Sequence, residues 1–273
     1  MQQTVSALLR ARGISLCAPI SLRDCRITRP YLLERAGIGG EGTAFLLAVP
    51  YYTTKCADPA RNISNYAVSA DYHGFFSALF AEILPVLREK FPQNRFAGFA
   101  DHSPIAEVEA AAAAGLGLLG RHHLLITAPY ASFVFLGEIV TDASLDVTAG
   151  PPRPCEGCGA CERACPAAGG ECLSALTQKK GALTAAEQQA ILSHGCAWGC
   201  DACQTACPHT VRALAAGSIY TDIPFFTETA LSHLDVATLQ TMSDEALASR
   251  AYGWRGRQTI LRNLMLLEKG DVT

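Results

Sequence analysis

Apolar residues fall along the chain in short blocks of changing period, and the blocks predict helices interleaved with strands. Residues 43–51 (TAFLLAVPY) form an apolar run of strand length, and residues 95–100 a shorter one that ends at Asp101. Between them, residues 67–90 carry Phe75, Phe76, Leu79, Phe80, Ile83 and Leu87 at helical spacing, with Pro85 expected to kink or restart the helix. A further helix is predicted to start at Pro104, capped by Ser103, and to run through EVEAAAAAG to a stop at Gly115. Its Glu107 and Glu109 are expected to face solvent. HLLIT and SFVFLGEIVT, separated by APYA, read as two strands joined by a turn. Helices alternating with strands, some of them hairpin-connected, imply a layered α/β or α+β domain.

The pattern changes after residue 148. Residues 149–154 (AGPPRP) are proline-rich and aperiodic, as a linker is. A cysteine-rich stretch follows, and amphipathic helical segments run from Thr210 onward, with Arg250, Arg255, Arg257 and Arg262 gathered near the end. Three consecutive segments are therefore expected, at 1–148, 149–215 and 216–273. One short repeat stands out: CERACP at 161–166 is echoed by CQTACP at 203–208.

Composition narrows the class. Of 273 residues, 49% are apolar and 17% charged, which describes a globular chain with a sizeable core. The first residues, MQQTVSALLRARG, lack the apolar stretch and cleavage site of a secretory signal, and no apolar run is long enough to span a bilayer. A cytoplasmic protein with no membrane contact is expected. The net charge of −3 gives no reason to expect non-specific nucleic-acid binding.

The twelve cysteines change the picture most. Cys17, Cys25 and Cys56 are scattered and read as ordinary buried thiols, whereas nine others crowd between 155 and 207. In a reducing compartment such crowding points to metal rather than to disulfides. Cys155, Cys158, Cys161 and Cys165 are spaced C-x2-C-x2-C-x3-C-P, the bacterial ferredoxin pattern in which three thiolates wrap one cubane and the fourth reaches a second. Cys200, Cys203 and Cys207 repeat its second half. Cross-ligation then places one 4Fe–4S cluster on Cys155, Cys158, Cys161 and Cys207, and another on Cys165, Cys200, Cys203 and one more thiolate. Spacing alone leaves Cys172 and Cys196 both open as that last ligand. Structural zinc sites pair two C-x2-C knuckles and do not place three cysteines in seven residues followed by C-P.

With these residues placed, the chain resembles the epoxyqueuosine reductase family, cobalamin-dependent iron–sulfur enzymes that reduce an epoxide on a modified tRNA base. The matching segments are ISNYA (63–67), DYH (71–73), GLGLLGRHHLLIT (115–127), SFVFLGEIVTD (132–142), CLSALT (172–177), GCDACQTACP (199–208) and GRQTILRN (256–263), in the family's order. The resemblance implies an α+β chain with a nitroreductase-like, corrin-binding α/β domain, then a two-cluster ferredoxin domain and a short helical tail. It implies Cys172 as the missing ligand, with Cys196 a spare. It also implies Asp101 as the acid that protonates the oxygen leaving carbon. That role requires a carboxyl kept protonated near neutrality by partial burial, whereas the plainer alternative for Asp101 is a helix cap. Arg121, His122, Ser132, Ser174 and Asp201 match positions near the corrinoid, or are ordinary turn, cap and surface residues.

Departures from the family pattern mark the chain as a short member. Asn65 stands where arginine is expected before Tyr66, and His209-Thr210 replace a Trp-Asn pair. The cobalt-ligating pattern D-x-H-x-x-G has Phe76 in its last position, so His73 is expected to be structural or to line the cofactor. The chain stops soon after Asn263, so the C-terminal helical repeats that help longer family members hold tRNA are not expected in it. The late arginines offer phosphate contacts, but Asp235, Asp244 and Glu245 beside them favour a solvated helix face. The resemblance thus implies a monomeric reductase fed by an upstream low-potential electron donor, acting on tRNA or a related substrate. A two-cluster ferredoxin without corrinoid, and a donor that reactivates another protein's corrinoid, are the alternatives.

Overall fold

In the computed structural model, which describes residues 1–167 and 169–270, the apolar run at 43–51 becomes an inner strand of a four-stranded sheet. The first part of the chain supplies α1 (Gln2–Arg10), β1 (Leu16–Ser21), α2 (Pro30–Ala36), β2 (Thr43–Pro50), α3 (Tyr72–Lys90), β3 (Phe96–Phe99), α4 (Glu107–Ala113), β4 (Leu118–Leu119), β5 (Leu125–Ile126) and β6 (Val134–Thr141). The sheet order is β1-β2-β6-β3, and every neighbouring pair is antiparallel. Every residue of β2 is buried, which explains its unbroken apolar run. Side chains alternate across the strands. Ala44, Leu46, Ala48 and Val140 join one core cluster with Ile20, Leu33 and the buried alanines Ala110, Ala111 and Ala112 of α4. Beneath β6, a Cβ at Gly137 would strike the Phe76 ring of α3, so glycine is what lets that helix approach the sheet.

Several expectations shift. The helix predicted from Pro104 begins at Glu107, and Ala106, in the N-cap position, provides no side-chain cap. The Ser103 hydroxyl instead lies 2.5 Å from Glu138 Oε1, bonded to a buried carboxyl rather than to a helix end. HLLIT and 132–142 do not pair as a hairpin: both edges of β6 are taken by β2 and β3, so β5 pairs with β4. Strand β1 carried no clear sequence signal, because Pro19 interrupts it, a residue tolerated only on a sheet edge. Pro85 sits inside one continuous α3 and restarts nothing.

Later helices are α5 (Ala160–Arg163), α6 (Leu173–Thr177), α7 (Ala185–His194), α8 (Ala202–Thr205), α9 (Pro208–Ala215), α10 (Pro224–Glu228), α11 (Val236–Thr241), α12 (Asp244–Ala248) and α13 (Arg257–Gly270). Contacts divide the chain into two compact units, one of Met1–Pro50, His73–Cys158 and Ala213–Ile219, the other of Tyr51–Tyr72, Gly159–Arg212 and Tyr220–Thr273. This division differs from three consecutive segments because α13 packs on α6 and α7, joining the tail to the cysteine-rich stretch. In that second unit Leu173, Leu176, Leu183 and Ile191 form a small core, and Asn263 of α13 donates to Thr177 O at 2.7 Å and Ala197 O at 2.8 Å. Trp198 and Tyr252 are fully buried and meet edge to face.

Candidate functional site

The start of each sequence repeat, CERACP and CQTACP, folds into α5 and α8, two four-residue helices packed against each other, each carrying the repeat's first cysteine, Cys161 or Cys203. Around α8 the second unit gathers thiols from three separate segments. The charges of Cys172 and Cys165 reach both Cys200 and Cys203. Burial is the main cause that pushes Cys203 up to about 11 and raises Cys200. All of these cysteines are free thiols, and Cys172 is exposed. Among the described residues no group of three or more His, Cys, Asp or Glu side chains stands close enough to share one metal ion. A cubane of four irons and four sulfides holds its thiolates farther apart than a single ion does, so thiols within electrostatic range of one another, yet too separated to share one ion, fit such a group. Of the other four predicted ligands, Cys155 and Cys158 lie in the first unit, Cys161 and Cys207 in the second.

Cys196 behaves differently. Its thiol is buried, donates to Trp198 O at 3.2 Å, and is pushed up to about 12 by burial. Cys17, Cys25 and Cys56 are likewise raised by burial, to about 12, 12 and 11, as inert structural thiols are.

Asp201, between two of the facing thiols, has its carboxylate fully occupied. Arg61 Nη1 approaches Oδ2 at 3.0 Å, Ser64 Oγ donates to Oδ1 at 2.5 Å, and the Asn65 N–H donates to Oδ2 at 2.8 Å. These contacts support a structural role, tying the 61–65 segment to the start of α8. Ser174 is half-buried on α6, its carbonyl accepting from Thr177 Oγ1 and Gln178 Nε2.

In the first unit, Asp101 follows β3 on a short loop with its backbone in the left-handed region, φ 63°, a conformation unusual for aspartate. Its side chain is 67% exposed, and Oδ2 lies 3.6 Å from His73 Nε2, a neighbour that DYH placed in the sequence without indicating its partner. The partial burial expected of the acid falls instead on two other carboxyls. Glu107 is not solvent-facing: burial pushes it up to about 7, opposed by hydrogen bonds from Glu138 and from the Asp101 N–H. Glu138 is fully buried on β6, opposite Phe99 of β3, and burial followed by the Glu107 charge holds it well above the usual carboxylate range. A charged residue within the strand pattern FVFLGEIVT was the signal that could have exposed it. Glu109 does reach the surface, bidentate to Arg26.

The glycine-rich turn joins β4 to β5. A Cβ at Gly117 would collide with the Ile126 carbonyl, so this glycine serves the close strand pairing. Arg121 stands exposed at the turn, His122 is half-buried with Nδ1 accepting from Leu124 N at 3.3 Å, and Ser132 is buried. Of the late arginines, three clamp backbone. Arg250 holds Thr229 O at 2.7 Å, Arg257 holds Met242 O at 2.7 Å, and Arg262 holds Lys179 O at 2.8 Å. Arg255 lies over the Trp254 ring at 3.8 Å.

These features define a mixed α/β protein with a cysteine-rich unit, and comparisons with known proteins supply the family likeness. No protein-family model matches the chain. It is 38% identical over 176 residues to the epoxyqueuosine reductase of Gloeobacter violaceus, covering 59% of this chain and 54% of that one. The chain therefore spans about half the length of the curated relatives it matches most strongly. In fold it resembles the epoxyqueuosine reductase of Streptococcus thermophilus, with a TM-score of 0.79 at 19% identity over 100% of this chain and 82% of that one. Two further epoxyqueuosine reductase structures each cover 97% of this chain and 80% of theirs at 20% identity. One, with a TM-score of 0.68, holds an epoxyqueuosine-modified tRNA-Tyr stem loop. The other, from Bacillus subtilis, has a TM-score of 0.69 and its catalytic aspartate loop swung out of the active site. In sequence and in fold, this chain resembles the epoxyqueuosine reductases. Among the described residues no helix is long and apolar enough to cross a membrane.

Proposed function

We propose that this chain is a cytoplasmic iron–sulfur reductase of the epoxyqueuosine reductase type, which uses two 4Fe–4S clusters and cobalamin to reduce an epoxide on a tRNA base or a related substrate. The observation that carries this reading is that Cys165 and Cys172, from two other segments, lie within electrostatic range of Cys200 and Cys203. They form the ligand set of one cluster, and Cys155, Cys158, Cys161 and Cys207 the set of the other. When bound, these groups supply single electrons and a strongly reducing cobalt centre.

The residues of the chain do the rest. Asp101 gives a proton to the oxygen as it leaves carbon, and its place on an exposed loop after β3 supports that role; the Bacillus subtilis relative also carries its catalytic aspartate on a loop. His73 stands beside it. Arg121, His122, Ser132 and Ser174 would line the corrinoid, whose cobalt would supply the reducing electrons. Asp201 holds the thiol-bearing loop through Arg61 and Ser64 rather than touching the cofactor.

Anaerobic reconstitution tests the proposal. About eight irons and eight sulfides per chain are expected. Cys172→Ser should lower this to about four while Cys196→Ser leaves it unchanged; the reverse would disprove the ligand assignment. Cobalamin should survive desalting with a shifted visible spectrum, and failure to retain it at high concentration would leave only a two-cluster electron carrier.

A further inference from the structure

Beneath the Asp101 loop lies a pair of carboxyls that the proposed chemistry does not use directly. Glu138 interrupts the apolar face of β6 that packs towards α4, and Glu107 opens α4 itself. The two side chains are hydrogen-bond neighbours. Glu138 Oε1 receives the Ser103 hydroxyl at 2.5 Å, and Ser103 Oγ in turn accepts the Ile105 N–H at 3.1 Å, so this side of the pair is fixed in place. Glu107 accepts the backbone N–H of Asp101. One oxygen of each carboxyl, Glu107 Oε1 and Glu138 Oε2, is buried and receives no donor. Ionised carboxylates only accept, so two carboxyls in hydrogen-bond contact require a proton between them. Buried like charges in contact cannot both ionise cheaply.

We propose that Glu107 and Glu138 form a proton-sharing pair that positions the Asp101 loop, with Glu138 keeping the shared proton while Glu107 holds the Asp101 backbone N–H. The groups around it are few. Arg29 and Asp101 face Glu107, and the Cys25 thiol and Ser103 face Glu138. Arg29 also donates to Ser103 O at 3.0 Å, bracing the loop from α2. Loss of the first proton, from Glu107, leaves the second shared between the two; only when a higher pH takes it from Glu138 as well do two adjacent carboxylates remain. Glu107, the less buried of the two, then relieves the repulsion by turning outward, which releases Asp101 from its left-handed backbone. The link to catalysis rests on the reading of Asp101 as the acid; the proton-sharing itself does not.

The test measures thermal unfolding against pH on the cluster-loaded protein, with turnover followed in parallel. Glu107 titrates near 7 in the folded chain against 4.5 unfolded, so its share of stability is full below about 4.5 and is lost as pH rises through about 7. Wild type should lose roughly 5 °C or more across that window. Glu107→Gln, which is neutral at every pH, should flatten the fall and move the high-pH limb of turnover. A slope and limb unchanged in Glu107→Gln would overturn the proposal. Glu138→Gln should flatten the slope as well. If that fully buried substitution prevents folding, the infrared spectrum of wild type decides. A protonated-carboxyl C=O band that weakens through about pH 7 and persists above it supports the pair, and the lack of any such band above that pH overturns it. Asp101→Asn separates the two ideas. Turnover lost with the stability slope kept supports both, and full turnover removes the acid reading while the slope still decides the pair.

Discussion

Asp201 and Glu138 are both buried carboxyls, and their surroundings treat them in opposite ways. Asp201 is met by Arg61, by the Ser64 hydroxyl and by the Asn65 N–H, so the pull of burial towards the neutral acid is opposed by one cation and two donors. Glu138 has one hydroxyl and a second carboxyl for company, and its nearest charge has its own sign. The first arrangement is a staple, which fixes one loop by satisfying every lone pair it can. The second leaves an oxygen unsatisfied unless a proton is present, which ties its geometry to proton occupancy. Burial of a carboxyl does not say which of these a chain has built; the partners do.

The largest effect that bears on this contrast belongs to Asp101. Replacing it with asparagine keeps shape and most hydrogen bonding but removes the transferable proton. Turnover of an epoxide substrate should fall about 100- to 10,000-fold with iron content unchanged, the usual worth of general acid catalysis. If the variant instead loses stability with unchanged turnover per folded molecule, Asp101 is a loop-fixing residue and the Glu107 contact serves the fold alone.

Next in size is the staple. Arg61→Met leaves Asp201 buried without its cation and should cost about 3–5 kcal/mol in chemical unfolding of the reconstituted protein. Glu107→Gln, measured near pH 5 where the pair is protonated, should change stability by about 1 kcal/mol or less. Equal costs for the two variants would erase the distinction between staple and proton-sharing pair.

How much of this was legible beforehand follows from how local each signal is. The apolar run of β2 and the helical stripe of α3 are written in neighbouring residues, and each element formed where its pattern lay. What escaped was set by distant pairing. Ser103 looked like a cap for a helix at Pro104 because nothing nearby reveals that Glu138, 35 positions later, takes its hydroxyl. Glu107 and Glu109 looked alike on a helical wheel, yet one opens α4 against the sheet and the other meets Arg26 at the surface. HLLIT carried strand character without saying that both edges of β6 were taken. The ambiguity between Cys172 and Cys196 had the same origin. Spacing treats them alike, and both thiols lie within electrostatic range of Cys200; what neighbouring residues do not reveal is that Cys196 is buried and donates to the Trp198 carbonyl while Cys172 is exposed.

The smallest expected effect extends the staple-versus-function contrast to cations. Arg250, Arg257 and Arg262 spend their guanidinium groups on backbone carbonyls, as Arg61 does on the Cys56 carbonyl, so they resemble structural staples more than phosphate contacts. Arg255, stacked on the exposed Trp254, is the one of the four that no carbonyl claims in this way. Binding of a tRNA stem loop should therefore be weak and shallow in salt. Arg255→Gln should lower the magnitude of the log K against log salt slope by about 1 or less, the worth of one phosphate contact. Arg250→Gln should leave that slope alone while lowering stability by about 1–3 kcal/mol, since two buried carbonyl contacts lose a charged donor. A steep salt slope that Arg250→Gln reduces would show that the guanidinium reaches phosphate despite its carbonyl bonds. The clamps would then have to open when RNA arrives, which the same titration would reveal as a fall in unfolding temperature at saturation in place of the rise that simple binding produces.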